Sequence, residues 1–145
     1  CPANALIREL LRHLLVERDE AVVMDMEAGI EHMGRGTAKH MDTMLIVVDP
    51  SLRSMETAKK IYGLAMEAGI KKASMLGNRI ADASQGKLIK QFAANNDIPL
   101  LGLIPYDEKI LKADIKGETP LKFAKYSEGI VAIQKIGENL LGQEI

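Results

Sequence analysis

Ala21-Val22-Val23-Met24-Asp25-Met26-Glu27-Ala28-Gly29-Ile30-Glu31 is the stretch on which the rest of the chain depends. A short, continuously apolar run ends on an aspartate. A glycine follows four residues later, and then a helical pattern starts. Such a run fits a strand buried on both faces, as in a parallel sheet, and predicts a strand over about Ala21 to Asp25. The C-terminal end of a parallel strand faces the crevice where open α/β sheets bind ligands. An aspartate there reaches a metal ion or its water shell. A glycine there lets a backbone N–H approach a phosphate with no Cβ in the way. The same residues also make an ordinary Asp/Gly turn, so the other strand ends have to decide between the two.

Upstream, Leu6, Ile7, Leu10, Leu11, Leu14 and Leu15 recur at helical spacing and predict a helix from about Ala3 to Glu17. Downstream, Glu31 to about His40 reads as a short helix or turn broken by Gly34 and Gly36. Residues 43–48 (Thr-Met-Leu-Ile-Val-Val) form a second buried strand, stopped by Asp49-Pro50. Ser51 or Ser54 then caps a helix to about Ala68, with Leu52, Met55, Ala58, Ile61, Tyr62 and Ala65 inward and Gly69 as its stop. A weaker strand runs from Lys72 to Gly77 into Asn78-Arg79, and a helix follows over about Ser84 to Asn95, with Leu88, Ile89, Phe92 and Ala93 inward. The fourth strand is Pro99 to Ile104, ending at Pro105. Asp107 caps a short helix to about Ala113, Thr119-Pro120 starts another turn, and a last helix covers about Ser127 to Leu141, with Ile130, Ile133, Ile136 and Leu140 inward. Strands alternating with helices of this length give a mostly parallel sheet with helices on both faces, an α/β/α three-layer domain over residues 1–145. In such a sheet the ends at Asp25, Asp49-Pro50, Asn78-Arg79 and Pro105-Tyr106 share one edge. Polar residues therefore cluster where a ligand crevice belongs, which a single Asp/Gly turn does not explain.

Composition narrows the function classes. The chain has 145 residues, 47% of them apolar and 27% charged, which is ordinary for a single globular domain. A net charge of −1 makes no general electrostatic case for nucleic acid or an anionic membrane. Aromatic residues at 3% argue against a base-stacking platform. Cys1 is the only cysteine, so no internal disulfide forms and a reducing cytoplasm is expected. No apolar run approaches the roughly 20 residues of a membrane span, and no signal peptide is visible. The chain opens on Cys-Pro-Ala-Asn rather than methionine, which reads as a processed or truncated product.

At the strand ends the sequence resembles the MinD/ParA/nitrogenase-iron-protein class of dimeric P-loop ATPases. Asp25-Met26-Glu27-Ala28-Gly29-Ile30-Glu31 resembles that class's D-x-x-A-G-I-E switch, and Val47-Val48-Asp49-Pro50-Ser51 the strand and helix after it. Gly77-Asn78-Arg79 resembles the adenine-recognising strand end, and Leu101-Gly102-Leu103-Ile104-Pro105-Tyr106-Asp107 the segment that lies over the base. A narrower resemblance is to CooC-type accessory ATPases, which support nickel insertion into carbon monoxide dehydrogenase. It is carried by the Asp25 stretch with His32, Gly34 and Arg35, and by Cys-Pro-Ala-Asn-Ala-Leu-Ile-Arg at the start, which in that subfamily follows a Cys-x-Cys pair.

The resemblance implies ATP or ADP with Mg²⁺ as cofactor. Asp25 would hold the Mg²⁺ water shell and Gly29 would donate its N–H to the γ-phosphate. Asn78, with Arg79, would read adenine, and Pro105, Tyr106 and Asp107 would shape the base pocket. Cys1 would be one thiolate of a zinc or nickel site across a homodimer, although Cys1 alone cannot make a structural zinc site. Carbon monoxide dehydrogenase, or a similar nickel enzyme, would be the partner. The chain contains no G-x-x-x-x-G-K-S/T, so the phosphate loop, its strand and the first switch are missing, and no measurable ATP hydrolysis is expected of it alone. In the class that strand lies between those ending at Asp25 and Asp49. Its absence predicts that the Asp25 strand either pairs across the gap or borrows a strand from a neighbour. Two other readings remain: a positioning or partition ATPase of the MinD/ParA kind, and a non-catalytic nucleotide-binding α/β fragment. The acidic end, Glu138 to Ile145, lacks the basic amphipathic helix of a membrane-positioning member.

Overall fold

A three-stranded sheet in the order β1-β2-β3 is built from β1 (Thr43–Val48), β2 (Lys72–Ile80) and β3 (Leu100–Pro105). In this computed structural model residues 23–25 and 41–142 are described. Among the described residues five helical segments follow the strands: α1 (Leu52–Glu67), α2 (Ala83–Asn95), α3 (Glu108–Ile115), the single turn α4 (Pro120–Phe123) and α5 (Glu128–Leu141). The expected helix over Ala3 to Glu17 and the segment from Glu31 to His40 lie outside the described residues, as do Cys1 and Gly29. The described residues gather into two compact units, one of 23–25, 41–44 and 60–73 and the other of 45–59 and 74–142.

β2 and β3 run parallel, with Met75 opposite Leu100, Leu76 opposite Gly102 and Gly77 opposite Leu103. A helix covers each face of this pair. On one face a Cβ on Gly77 would collide with Leu103 and crowd Ile89 of α2 at 3.1 Å, and a Cβ on Gly86 of α2 would meet Leu103 at 3.2 Å. The two glycines let α2 press onto β3 with Ile89 fully buried between them. On the other face Ile136 of α5 packs with Leu76 and Ile104 in a buried cluster, flanked by Leu101 and Leu140. Ile136 sits over Gly102, where a Cβ would lie 3.0 Å away. Alternating strand residues therefore feed opposite faces, as a sheet buried on both sides requires.

The helices end where local chemistry dictates. Ser51 Oγ accepts the Ser54 N–H at 3.3 Å and Ser54 Oγ accepts the Asp49 N–H at 3.1 Å, so both serines tie down the start of α1. Asp82 caps α2 through the Ser84 and Gln85 N–H groups, while Gln85 reaches back to the Ala81 N–H at 2.9 Å. Thr119 precedes Pro120 at the first helical position, but its side chain makes no cap bond. The inward stripes are close to expectation, with Met55, Ala58 and Ala65 buried on α1 and Ile130 and Ile136 on α5. Leu52, in the first turn of α1, and Leu88, beside Ile89, are exposed, as is Ile133.

The expected opening strand is not found at the three of its residues that are described, Val23 to Asp25. Val23, Met24 and Asp25 take no regular secondary structure, belong to no strand of the sheet, and leave Val23 90% exposed. A strand is held by the ladder it joins, and an apolar run without a neighbour has no partner for its N–H and C=O groups. Pairing across the gap is therefore not found at these three residues.

Gly69 ends α1 with φ +82° and open space around its Cβ position, whereas Gly63 lies within α1, also in open space. Gly69→Ala should destabilise the fold by about 1–2 kcal/mol, the cost of a left-handed non-glycine residue. Gly63→Ala should stabilise it by about 0.5–1 kcal/mol through helix propensity. Urea denaturation of the two variants checks the opposite signs.

Candidate functional site

The ladder between β2 and β3 does not continue evenly to its C-terminal end. Gly77 faces Leu103 and Ile80 faces Pro105, so β2 spends one more residue than β3 over the same span. Asn78 and Arg79 make up this bulge, and Arg79 adopts φ +56°, a left-handed conformation unusual for a residue with a long side chain. A bulge re-aims the side chains at a strand end. Beyond it the Tyr106 N–H donates to the Ile80 carbonyl at 2.8 Å and closes the edge. The fold thus sets Asn78-Arg79 directly beside Pro105-Tyr106-Asp107, at the edge where parallel sheets bind ligands. Asn78 is half-buried, Arg79 is exposed and Tyr106 is 42% exposed. Among the described residues no hydrogen bond engages the Asn78 amide, which keeps two donors and an acceptor for a planar, polar partner.

Asp107 is fully engaged. Its Oδ1 accepts the Lys109 N–H of α3 at 2.9 Å, and its Oδ2 accepts the Gly129 N–H at the start of α5, also at 2.9 Å. One carboxylate therefore caps two helix N-termini, where negative charge is favoured. Gly129 is required by the approach: a Cβ there would lie 3.0 Å from Asp107 Oδ2 and 2.8 Å from Ile110 Cδ1. Burial pushes the Asp107 carboxyl up. The approach of the Ser127 hydroxyl and the N–H groups of Gly129, Lys109 and Ile110 outweigh it, so the carboxyl sits below the usual carboxylate range. The Ser127 hydroxyl itself is buried and short of full hydrogen-bonding geometry. At the bulge's other flank the Ser84 hydroxyl, then the Gln85 N–H, hold the Asp82 carboxyl low in the same way.

Five of the expected site residues, Asn78, Arg79, Pro105, Tyr106 and Asp107, are thus brought together. Asp25 is exposed and belongs to the other compact unit, while Gly29 and Cys1 lie outside the described residues. Among the described residues no three His, Cys, Asp or Glu side chains are grouped to hold a metal ion. Ile80, whose carbonyl closes the edge, and Gly129, whose N–H anchors Asp107, were not expected. Their partners lie far along the chain, and only a long-range pairing reveals them.

Comparison with known proteins places this edge in a family. No protein-family model matches the chain. Over 118 residues it is 42% identical to an uncharacterised ATP-binding protein of Methanocaldococcus jannaschii, a match covering 81% of this chain and 46% of that protein. Over 117 residues it is 47% identical to the carbon monoxide dehydrogenase accessory protein CooC of Rhodospirillum rubrum, covering 81% of this chain and 44% of that one. The fold superimposes with a TM-score of 0.75 on the septum site-determining protein MinD of Pyrococcus horikoshii OT3, solved in complex with Mg-ADP. That match is 19% identical and covers 94% of this chain and 56% of the other. The chain belongs to the MinD/ParA class of P-loop ATPases. It spans about half the length of the curated relatives it matches. The β2–β3 edge is accordingly a strand edge of a MinD/ParA fold, and the two flanking helices are the outer layers of that fold's α/β/α arrangement.

Replacing Asp107 with Ala should cost about 1–2 kcal/mol at neutral pH, because two helix caps go at once. The folded carboxyl lies below its unfolded value, so its contribution is present above the unfolded pKa of about 3.9 and is lost as pH falls through the folded pKa. Urea melts from pH 7 down to pH 3 should show the gap between wild type and Asp107→Ala narrowing at the acid end.

Proposed function

We propose that the β2–β3 edge is the adenine-side wall of an ATP-binding site, working within an ATPase of the MinD/ParA class. The observation that carries this reading is the bulge at Asn78-Arg79 set against Pro105-Tyr106-Asp107. An asparagine amide matches adenine's adjacent donor and acceptor edge, as it does in other adenine contacts. The Pro105 ring and the half-exposed Tyr106 offer apolar surface for the faces of the base. Asp107 holds the loop in place through its two caps and sets the position of Pro105 and Tyr106, the two residues before it.

On this reading Asp25 orders the water shell of Mg²⁺ and Gly29 presents its N–H to the γ-phosphate. Asp25 is exposed, which suits a cation that keeps most of its waters and takes few protein ligands. When bound, Mg²⁺ neutralises charge on the phosphate oxygens during phosphoryl transfer. The chain's own contribution is positional: it binds the base, orients the nucleotide through the strand ends and offers one carboxylate to the metal's waters. The phosphate loop that would complete the site has no counterpart in this sequence, so the chain alone is not expected to turn over ATP.

Likeness to CooC supports a further step, in which nucleotide binding and hydrolysis drive dimer switching and delivery of nickel to carbon monoxide dehydrogenase or a similar nickel enzyme. Nickel is cargo in this scheme. Cys1 would contribute a thiolate from each protomer of a homodimer, and two thiolates are fewer than the four ligands of a closed zinc site.

In a full-length ATPase carrying this segment, Asn78→Ala should weaken ATP binding about tenfold, the loss of roughly 1.4 kcal/mol of hydrogen bonding. It should also erase the preference for ATP over GTP. Calorimetric titration with both nucleotides measures this. Unchanged selectivity in a folded Asn78→Ala variant would remove the adenine reading.

A further inference from the structure

The region after β3 carries a feature that the nucleotide reading does not use. α3, α4 and the turn before α5 enclose a groove of 590 Å³ lined by Lys109, Lys112, Lys122, Lys125, Tyr126 and Ser127, together with Phe123. Four lysines line it and no carboxylate does. Glu108 pairs with Lys112 at 3.2 Å. Among the described residues Lys109, Lys122 and Lys125 have no carboxylate within 4 Å. Asp107 lies nearby, but both of its oxygens are taken by the caps.

Ser127 also lines the groove, 4% exposed, with its hydroxyl turned to the Asp107 carboxylate. We propose that the groove docks an acidic segment of a partner protein, one presenting several carboxylates in an extended stretch. Its carboxylates would pair with Lys109, Lys122 and Lys125.

Single-stranded nucleic acid fits less well, because it needs free aromatic faces. Here the Lys116 ammonium sits 4.6 Å from the centre of the Phe123 ring, and that of Lys125 sits 5.5 Å from Tyr126. Those cation–π contacts occupy the rings and hold the ammonium groups in place. Tyr126, 84% exposed, and the exposed Leu121 add apolar surface at the rim, where a peptide's side chains can pack.

This inference is independent of the nucleotide site, and its test needs no nucleotide. Fluorescence anisotropy with a fluorescein-labelled peptide of repeating Glu-Glu-Leu should show saturable binding that weakens with salt. Lys109→Glu combined with Lys122→Glu should weaken it about tenfold or more, as charge reversal in a docking groove does. Both lysines are exposed, so the melting temperature should hold. Lys59→Glu combined with Lys90→Glu, on α1 and α2, should leave binding unchanged. The proposal is overturned if reversing Lys109 and Lys122 leaves the affinity intact. It is equally overturned if a poly-dT oligonucleotide or phosphatidylserine vesicles bind more tightly than the peptide through the same lysines.

Discussion

One carboxylate organises the C-terminal edge of this fold. Asp107 leaves β3 and immediately accepts N–H groups from two helices, the one it begins and one that starts 22 residues later. The second bond fixes the start of α5, and α5 is the helix whose Ile136 seals one face of the β2–β3 pair over Gly102. A half-buried carboxylate that accepts N–H groups from two helices is favoured in its ionised form. Its own cap, the seating of α5 and the shape of the Pro105-Tyr106 loop are therefore linked. Gly129 belongs to the same constraint, since any side chain there would push against Asp107.

Around that anchor the two strand ends take complementary parts. β3 ends in a held loop, whereas β2 ends in a bulge with a residue in a left-handed conformation. Placing arginine there costs on the order of 1–2 kcal/mol, and the Tyr106–Ile80 hydrogen bond beyond it keeps the edge closed. Local strain retained next to a conformationally fixed loop is a pattern that accompanies binding edges. It agrees with the chain's place in the MinD/ParA class, whose fold it shares.

What was legible in the sequence follows from local chemistry. The run of 43–48 predicts β1 at its observed bounds, because five consecutive apolar residues stop at Asp49-Pro50, but the strand buries only Met44, Ile46 and Val48 and leaves Leu45 and Val47 exposed. Gly69 predicts a helix stop, and it takes the positive φ that only glycine adopts without strain. Asp107 predicts a helix cap and makes one. The exceptions depend on distance. β2 was expected to stop at Gly77 and instead continues through the bulge to Ile80, because the pairing with β3 carries it past residues that read as a turn. The second bond of Asp107 and the lysine groove arise only when segments far apart in sequence meet. The Val23–Asp25 run failed as a strand for a related reason: apolarity predicts burial, but a strand also needs a neighbour to pair with.

The central claim is that the Asn78-Arg79 bulge and the Pro105-Tyr106-Asp107 loop form one surface for the base of an adenine nucleotide. Amide NMR spectra of the chain during titration with AMP test it most directly, because a strand edge reports contact at individual residues. The account predicts shifts concentrated at Asn78, Arg79, Ile80, Tyr106 and Asp107, reproduced by adenosine without the phosphate. Shifts confined to the lysines of the α3–α4 groove, or absent from the β2–β3 edge at saturating AMP, would contradict it.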